Sequence, residues 1–223
     1  MVQERYRKDY LGEFVIVKSI WRNGKKEQER EWIDNPIENQ HISGRAAVVG
    51  CGPSKNNFNI QILERHCGGL LGKKRLQTYA ADGVWQQIRP NFYVSNNKIE
   101  LAEILSSDYS EDNIIYTSAK KCIDNPGKFY LTPYNTNLAD IAIATWLAAF
   151  DGHWEIFFLG VDGTDSCGNV DQRKIVDIDQ VIKTYSGVRF YAITDGEKPP
   201  AVWRQNSNFS IMTYAQWKNY CDV

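Results

Sequence analysis

Five consecutive residues carry the strongest hint of chemistry in this sequence: Gly50-Cys51-Gly52-Pro53-Ser54, placed directly after the apolar run Ala46-Ala47-Val48-Val49. Two glycines let a backbone approach a ligand closely, and a helix opening at Pro53 offers unbonded N–H groups and a positive dipole to an anion. Ser54 adds a hydroxyl donor. Gly50, Gly52, Pro53 and Ser54 are therefore candidate ligands of a phosphate or ribose, although the same five residues also serve as a plain strand-to-helix turn. The pattern is neither the G-x-G-x-x-G dinucleotide fingerprint nor a G-x-x-x-x-G-K-[ST] phosphate loop.

Further candidates follow other apolar runs. Asp82 stands in Ala80-Ala81-Asp82-Gly83, Asn96 in Ser95-Asn96-Asn97, and two acids in Asp162-Gly163-Thr164-Asp165. A carboxylate at a strand end can hold ribose hydroxyls or a divalent cation, and Asp is equally a common turn or cap residue. Asn135-Thr136-Asn137 precedes the clearest helical stretch; Thr136 and Asn137 face an anion in one reading and cap the helix in the other. His41, His66 and His153 are not placed for general-base work, and no Ser/His/Asp or Cys/His array can be assembled.

The elements that must position these residues alternate between strand and helix from Gly44 onward. Strands are expected at 46–50, 76–80, 92–95, 114–117, 129–131, 155–161 and 188–193. Helices are expected at 57–66, 82–87, 99–106, 137–150, 171–185 and 214–220. Apolar strands without polar alternation, joined by helix-length segments, specify an α/β, Rossmann-like, mostly parallel sheet flanked by helices. In such a sheet ligands bind beyond the carboxyl ends of the strands. Ahead of it, Phe14-Val15-Ile16-Val17 and Ile20-Trp21, then Asn23-Gly24, predict a β-hairpin over 13–33 with a type I′ turn. Residues 1–43 thus read as a hairpin appendage, with 36–43 as its linker, and 44–223 as the nucleotide-binding domain.

Composition narrows the function. The chain has 26 basic and 27 acidic residues, a net charge of −1, and so lacks the basic footprint of a nucleic-acid binder. The longest apolar helical run, near 141–150, is too short to span a bilayer. The first residues, MVQERYRKDY, lack an apolar signal core, so a cytoplasmic protein is expected. Five scattered cysteines without a C-x-x-C pair point to free thiols and no metal site. The apolar arm of the hairpin suggests packing on its own domain or a homo-oligomeric contact.

Taken together, VVGCGPS, then YAADGVWQQIRPNFYVSNN, then NTNLADIAIATWLAAFDGHWEIFFLGVDG resemble a superfamily of bacterial lipooligosaccharide sialyltransferases and archaeal 6-hydroxymethylpterin pyrophosphokinase-like proteins. The resemblance spans about residues 45–165. Its sialyltransferase branch implies a CMP-sugar donor held by Gly50, Gly52, Pro53 and Ser54, with Asn96, Thr136 and Asn137 near the nucleotide, and no metal. Its pyrophosphokinase branch implies ATP and Mg²⁺, with Asp82 and Asp162 as ligands. The family's histidine base does not follow Gly163, and Cys51 replaces an asparagine. Asp162 or Asp165 is then the candidate base of a glycosyltransferase that uses a CMP-type donor. The alternatives are an Mg-ATP pyrophosphokinase-like enzyme and a non-catalytic nucleotide-binding protein.

Overall fold

Runs of apolar residues that do not alternate with polar ones become strands covered on both faces, and the computed structural model shows which runs do so. It describes residues 2–7, 13–23, 25–34, 44–63, 76–133 and 137–221. In chain order the strands are β1 (Val2–Arg7), β2 (Glu13–Arg22), β3 (Lys25–Asp34), β4 (Arg45–Val49), β5 (Gln77–Ala80) and β6 (Phe92–Val94). They continue with β7 (Ile114–Thr117), β8 (Tyr130–Leu131), β9 (Glu155–Leu159), β10 (Arg189–Ile193) and β11 (Phe209–Met212). The helices are α1 (Lys98–Ser106), α2 (Tyr109–Asp112), α3 (Ala119–Asp124), α4 (Asp140–Phe150), α5 (Gln172–Thr184) and α6 (Tyr214–Cys221).

The chain divides into two units, one of Met1–Gln40 with Ser95–Asn137, the other of His41–Val94 with Leu138–Val223. In the first, β1, β2 and β3 form an antiparallel meander whose Arg22↔Lys25 pairing leaves Asn23 and Gly24 as the loop. Asn23 has φ +51, the left-handed conformation that a type I′ turn requires; Gly24 lies outside the described residues. The strand β1 pairs in parallel with β8, and β8 with β7. The expected hairpin is present, with β3 on the edge of its sheet.

The second unit is the α/β, Rossmann-like sheet. Six parallel strands run in the order β11-β10-β9-β4-β5-β6. The chain starts in the middle at β4, builds outward to β6, then returns to β9 and builds the other way. That order is the doubly wound one, with its reversal between β4 and β9. Ala46, Ala47, Val48 and Val49 are wholly buried between these neighbours. Nine of the eleven residues of α4 are buried, and the helix packs on β4, β5 and β6 and beside α5. A helix apolar all round is expected where sheet and a second helix both cover it.

Many of the aromatics are core, Tyr79, Tyr93, Phe157, Phe158, Trp203 and Trp217 among them. Phe158 meets Phe190, Trp203 and Phe209 on one face of the sheet, and Phe157 meets Tyr191, Trp217 and Tyr220 on the other. Cys51, Cys122 and Cys221 are free and buried, and Cys167 is free and exposed.

Several boundaries differ from expectation. Over 57–63, the described part of the helix expected at 57–66, the chain instead follows two 3-10 turns, Pro53–Asn57 and Ile60–Leu63. Asn56, Asn57 and Asn59 are poor helix formers, and Phe58 between the turns is extended (φ −121°, ψ 150°). The helix expected at 82–87 shrinks to Val84–Gln86, because Asp82 and Gly83 take φ of +60 and +82. Asn137 does not cap α4: the cap position is Ala139, whose N–H donates to Asp177 of α5 at 2.7 Å. The parallel edge strand β11 and the short helices α2 and α3 have no counterpart in the sequence reading. The 36–43 linker, His41, His66, Cys67, Asn135 and Thr136 lie outside the described residues. Among the described residues, no helix is long and apolar enough to cross a membrane.

Candidate functional site

The turns after β4 and β9 are laced together where the strand order reverses. Gly50 N–H donates to the Leu159 carbonyl at 2.9 Å, and Gly52 N–H to the Gly160 carbonyl at 2.8 Å. Neither glycine has room for a side chain. A Cβ on Gly50 would lie 2.5 Å from the Gly160 oxygen, and one on Gly52 2.4 Å from Asp162 Oδ2 and 2.7 Å from the Gly160 oxygen. The close approach that glycine permits is here an approach to the protein's own chain.

Asp162 reaches across this seam. Its Oδ2 accepts the Ser54 N–H at 2.9 Å, and its Oδ1 accepts the Ser54 hydroxyl. The carboxylate therefore stands where the opening of the Pro53–Asn57 turn would otherwise offer donors to an anion. Burial pushes the Asp162 pKa above the ordinary carboxyl value; the two Ser54 hydrogen bonds pull it down and the charge of Glu197 adds to the rise. Beyond it lies a cavity of about 20 Å³ lined by Phe158, Asp162, Thr194, Glu197 and Pro199, room for about one water. Glu197 accepts from Thr194 Oγ1 at 3.1 Å and from Asn57 Nδ2 at 3.3 Å.

A second cluster sits after β5. Left-handed Asp82 turns its carboxylate to Lys174 of α5, with Nζ to Oδ2 at 2.7 Å. Lys174 Nζ also donates to the Thr164 carbonyl at 3.2 Å and to Cys51 Sγ at 3.7 Å, and Cys51 Sγ lies 3.8 Å from Asp82 Oδ2. Burial works against the Lys174 ammonium, yet Asp82, by charge and hydrogen bond, together with Cys51 and Asp171 more than offsets it, and the Lys174 pKa is raised. Burial pushes the Cys51 thiol up, and Asp82 adds to this against Lys174 and Lys55. Asp171 brings Lys174 here by capping α5: its Oδ1 accepts from Arg173 N–H at 3.0 Å and Lys174 N–H at 3.2 Å.

Of the residues named from sequence, Gly50, Gly52, Pro53, Ser54, Asp82 and Asp162 come together at the carboxyl edge of the sheet. Asp165 is half-buried in the same loop, and its carboxylate is taken up locally. It accepts from Cys167 N–H at 2.9 Å, from Asn169 N–H at 2.8 Å and from Asn169 Nδ2 at 3.0 Å. Those bonds, Asn169's first, lower its pKa. Asn96 belongs to the smaller unit, where its Oδ1 accepts the Ser118 N–H at 3.1 Å. Asn137 is exposed just before α4. His153 is buried at the start of β9, at the opposite edge, 3.2 Å from the Tyr79 hydroxyl, which donates to Asp151 at 2.7 Å.

Lys174 and Lys55 were not singled out in the sequence. The available signal was positional: Lys174 stands in the first turn after the capping Asp171, and Lys55 directly follows Ser54. Among the described residues, no group of three or more His, Cys, Asp and Glu side chains is arranged to hold a metal ion.

No protein-family model matches the chain, and no curated protein does. Among solved structures it is similar to a sialyltransferase from Campylobacter jejuni in complex with a substrate analogue, cytidine-5'-monophosphate. The two share 14% identity over 66% of this chain and 78% of that one, with a TM-score of 0.33.

Proposed function

We propose that this chain binds a nucleotide at the carboxyl edge of its six-stranded sheet and uses a CMP-type nucleotide-sugar as donor in glycosyl transfer. One observation carries the reading: the strand order reverses between β4 and β9, and the Gly50–Ser54 and Gly160–Asp162 turns meet there. Such a reversal opens a ligand crevice in doubly wound sheets. The CMP-type donor rests on the sequence resemblance of VVGCGPS and the segments that follow it. Ser54, Asp82 and the backbone of Gly50, Gly52 and Pro53 line the donor side. Between the two candidate bases Asp162 is favoured, since its raised pKa keeps it closer to a proton-accepting range. Asp165 is held by its own loop. No metal is required in this reading.

A second reading, nucleotide binding without transfer, is favoured by the engagement of both carboxylates: Asp162 is bonded to Ser54, and Asp165 to Cys167 and Asn169. The test is thermal shift against CMP, CDP, UDP, GDP, ATP and CMP-sialic acid, each with and without Mg²⁺, followed by an assay for CMP release. Ligands that bind the folded chain raise its melting temperature by mass action. The transferase reading expects a metal-independent CMP shift and CMP release lost in Asp162→Asn. A shift with no release in the wild type selects the second reading. Absence of any shift removes both.

A further inference from the structure

The end strands of the two units are built differently. In β3, the end strand of the smaller unit, seven of the ten residues are charged, a common guard against edge-to-edge pairing. In β11, the end strand of the larger unit, none is. The thirteen residues between Arg204 and Lys218 are all uncharged, and none is proline. At the centre of this stretch Ile211 is 49% exposed.

Backbone pairing fixes which groups β11 turns outward. The Asn208 and Met212 carbonyls accept from the Phe190 and Thr194 N–H groups, on and just past β10, at 2.8 and 3.1 Å. Main-chain groups alternate sides along a strand, so Asn208, Ser210 and Met212 face β10 while Phe209 and Ile211 face away. The chain itself satisfies the outward N–H groups on either side of Ile211. Phe209 donates to the Asn206 carbonyl at 3.1 Å, and Thr213 to Gln216 Oε1 at 2.8 Å. Between them, no described residue pairs with the Ile211 N–H or carbonyl.

We propose that β11 is the contact of a symmetric homodimer, in which it pairs antiparallel with β11 of a second copy about Ile211. A two-fold axis perpendicular to the sheet sets an edge strand antiparallel to its own copy. Ile211 then meets Ile211, and the two residues exchange both hydrogen bonds, with their Cα atoms about 5.5 Å apart. Their exposed side chains lie next to each other on one face. Such a contact places each side chain at the axis against its own type, and like charges in that position repel. An uncharged strand therefore suits a second copy, and a charged one such as β3 does not. With four residues and one open register, β11 closes after a single pairing, giving a dimer rather than a growing sheet. The inference stands apart from the nucleotide reading, because it uses none of the residues at the β4 and β9 turns.

Light scattering of the full chain tests it, with melting curves to check that each variant is folded. The wild type is expected at twice the mass of the single chain. Ile211→Lys sets two ammonium groups against each other, and Ile211→Pro removes an outward N–H that the fold does not use. Each is expected to lower the mass twofold and to keep a cooperative melt. Ile211→Glu is expected to be monomeric as well. An equimolar mixture of Ile211→Glu and Ile211→Lys should recover the dimer mass, because position 211 of one copy faces position 211 of the other. Misfolding of either variant could not produce that recovery.

A monomeric wild type overturns the proposal. So does a dimer that Ile211→Lys and Ile211→Pro leave intact, which would assign the contact to another surface. Monomeric variants whose mixture stays monomeric overturn the pairing of Ile211 with itself.

Discussion

Ser54 and Asp162 show how one residue pair can close a turn that glycine opens. Both Ser54 donors end on the same carboxylate, 108 positions away in sequence. Ser54→Ala removes the hydroxyl from a buried site and leaves a half-buried carboxylate with one donor fewer. A loss of about 1–3 kcal/mol is expected, read as a lower midpoint in urea unfolding. Gly52→Ala is expected to cost about 1–3 kcal/mol as well, since its Cβ would enter the Asp162 carboxylate and the Gly160 carbonyl. Because the carbonyl is backbone, pairing Gly52→Ala with Asp162→Gly should restore only part of that loss.

The sign of the pH dependence at Asp162 follows from its raised pKa. Between the ordinary value of 3.8 and the higher folded value, the folded chain holds the proton more tightly than the unfolded chain. Stability from this group therefore falls as pH rises through that window. Asp165 works oppositely: its lowered pKa stabilises above the unfolded value, and that contribution is lost as pH falls. Melting curves of Asp162→Asn against the wild type across the acid range should show the first slope removed. An unchanged slope would place the proton elsewhere.

At the scale of elements, α5 is the part that delivers chemistry. Its position was readable as a helix over 171–185, and the structure makes Asp171 its N-cap rather than its first turn. Asp171→Ala should cost about 1 kcal/mol and lower the melting temperature; a neutral result would mean that the helix is held by packing alone. The start of α4 was not readable, because its anchor is a carboxylate on another helix, Asp177, rather than a local cap. The helix expected at 57–66 is absent over 57–63 for a different reason. Local apolar spacing suggested one, while the asparagines and the seam with β9 favoured two 3-10 turns.

Across the whole larger unit, the two edges of the sheet divide the work. At the carboxyl edge stand the charged clusters described above. At the amino edge, Glu155, 1% exposed, binds Arg45 Nε at 2.8 Å, Arg189 Nη2 at 2.7 Å and the Tyr220 hydroxyl at 2.6 Å, tying β4, β9 and β10 to α6. Glu155→Ala breaks all three bonds and strands their donors, a cost of about 1–3 kcal/mol given that both arginines are partly exposed. Ligand affinity in the shift assay should not change, since this cluster lies at the opposite edge of the sheet from the turns after β4 and β9. Loss of stability together with loss of binding would show that the edges are coupled.

From the sequence alone came the α/β class, the hairpin, most strand positions and the glycine-rich turn, because each depends on short-range preferences such as apolar runs, Asn-Gly and strand-to-helix spacing. The same local rules brought Gly50, Gly52, Ser54, Asp82 and Asp162 into consideration. Tertiary structure decided which of these meet. The reversal between β4 and β9, the Asp162–Ser54 pairing and the Lys174–Asp82 pair, 92 positions apart, arise from strand order, which no local window of sequence contains.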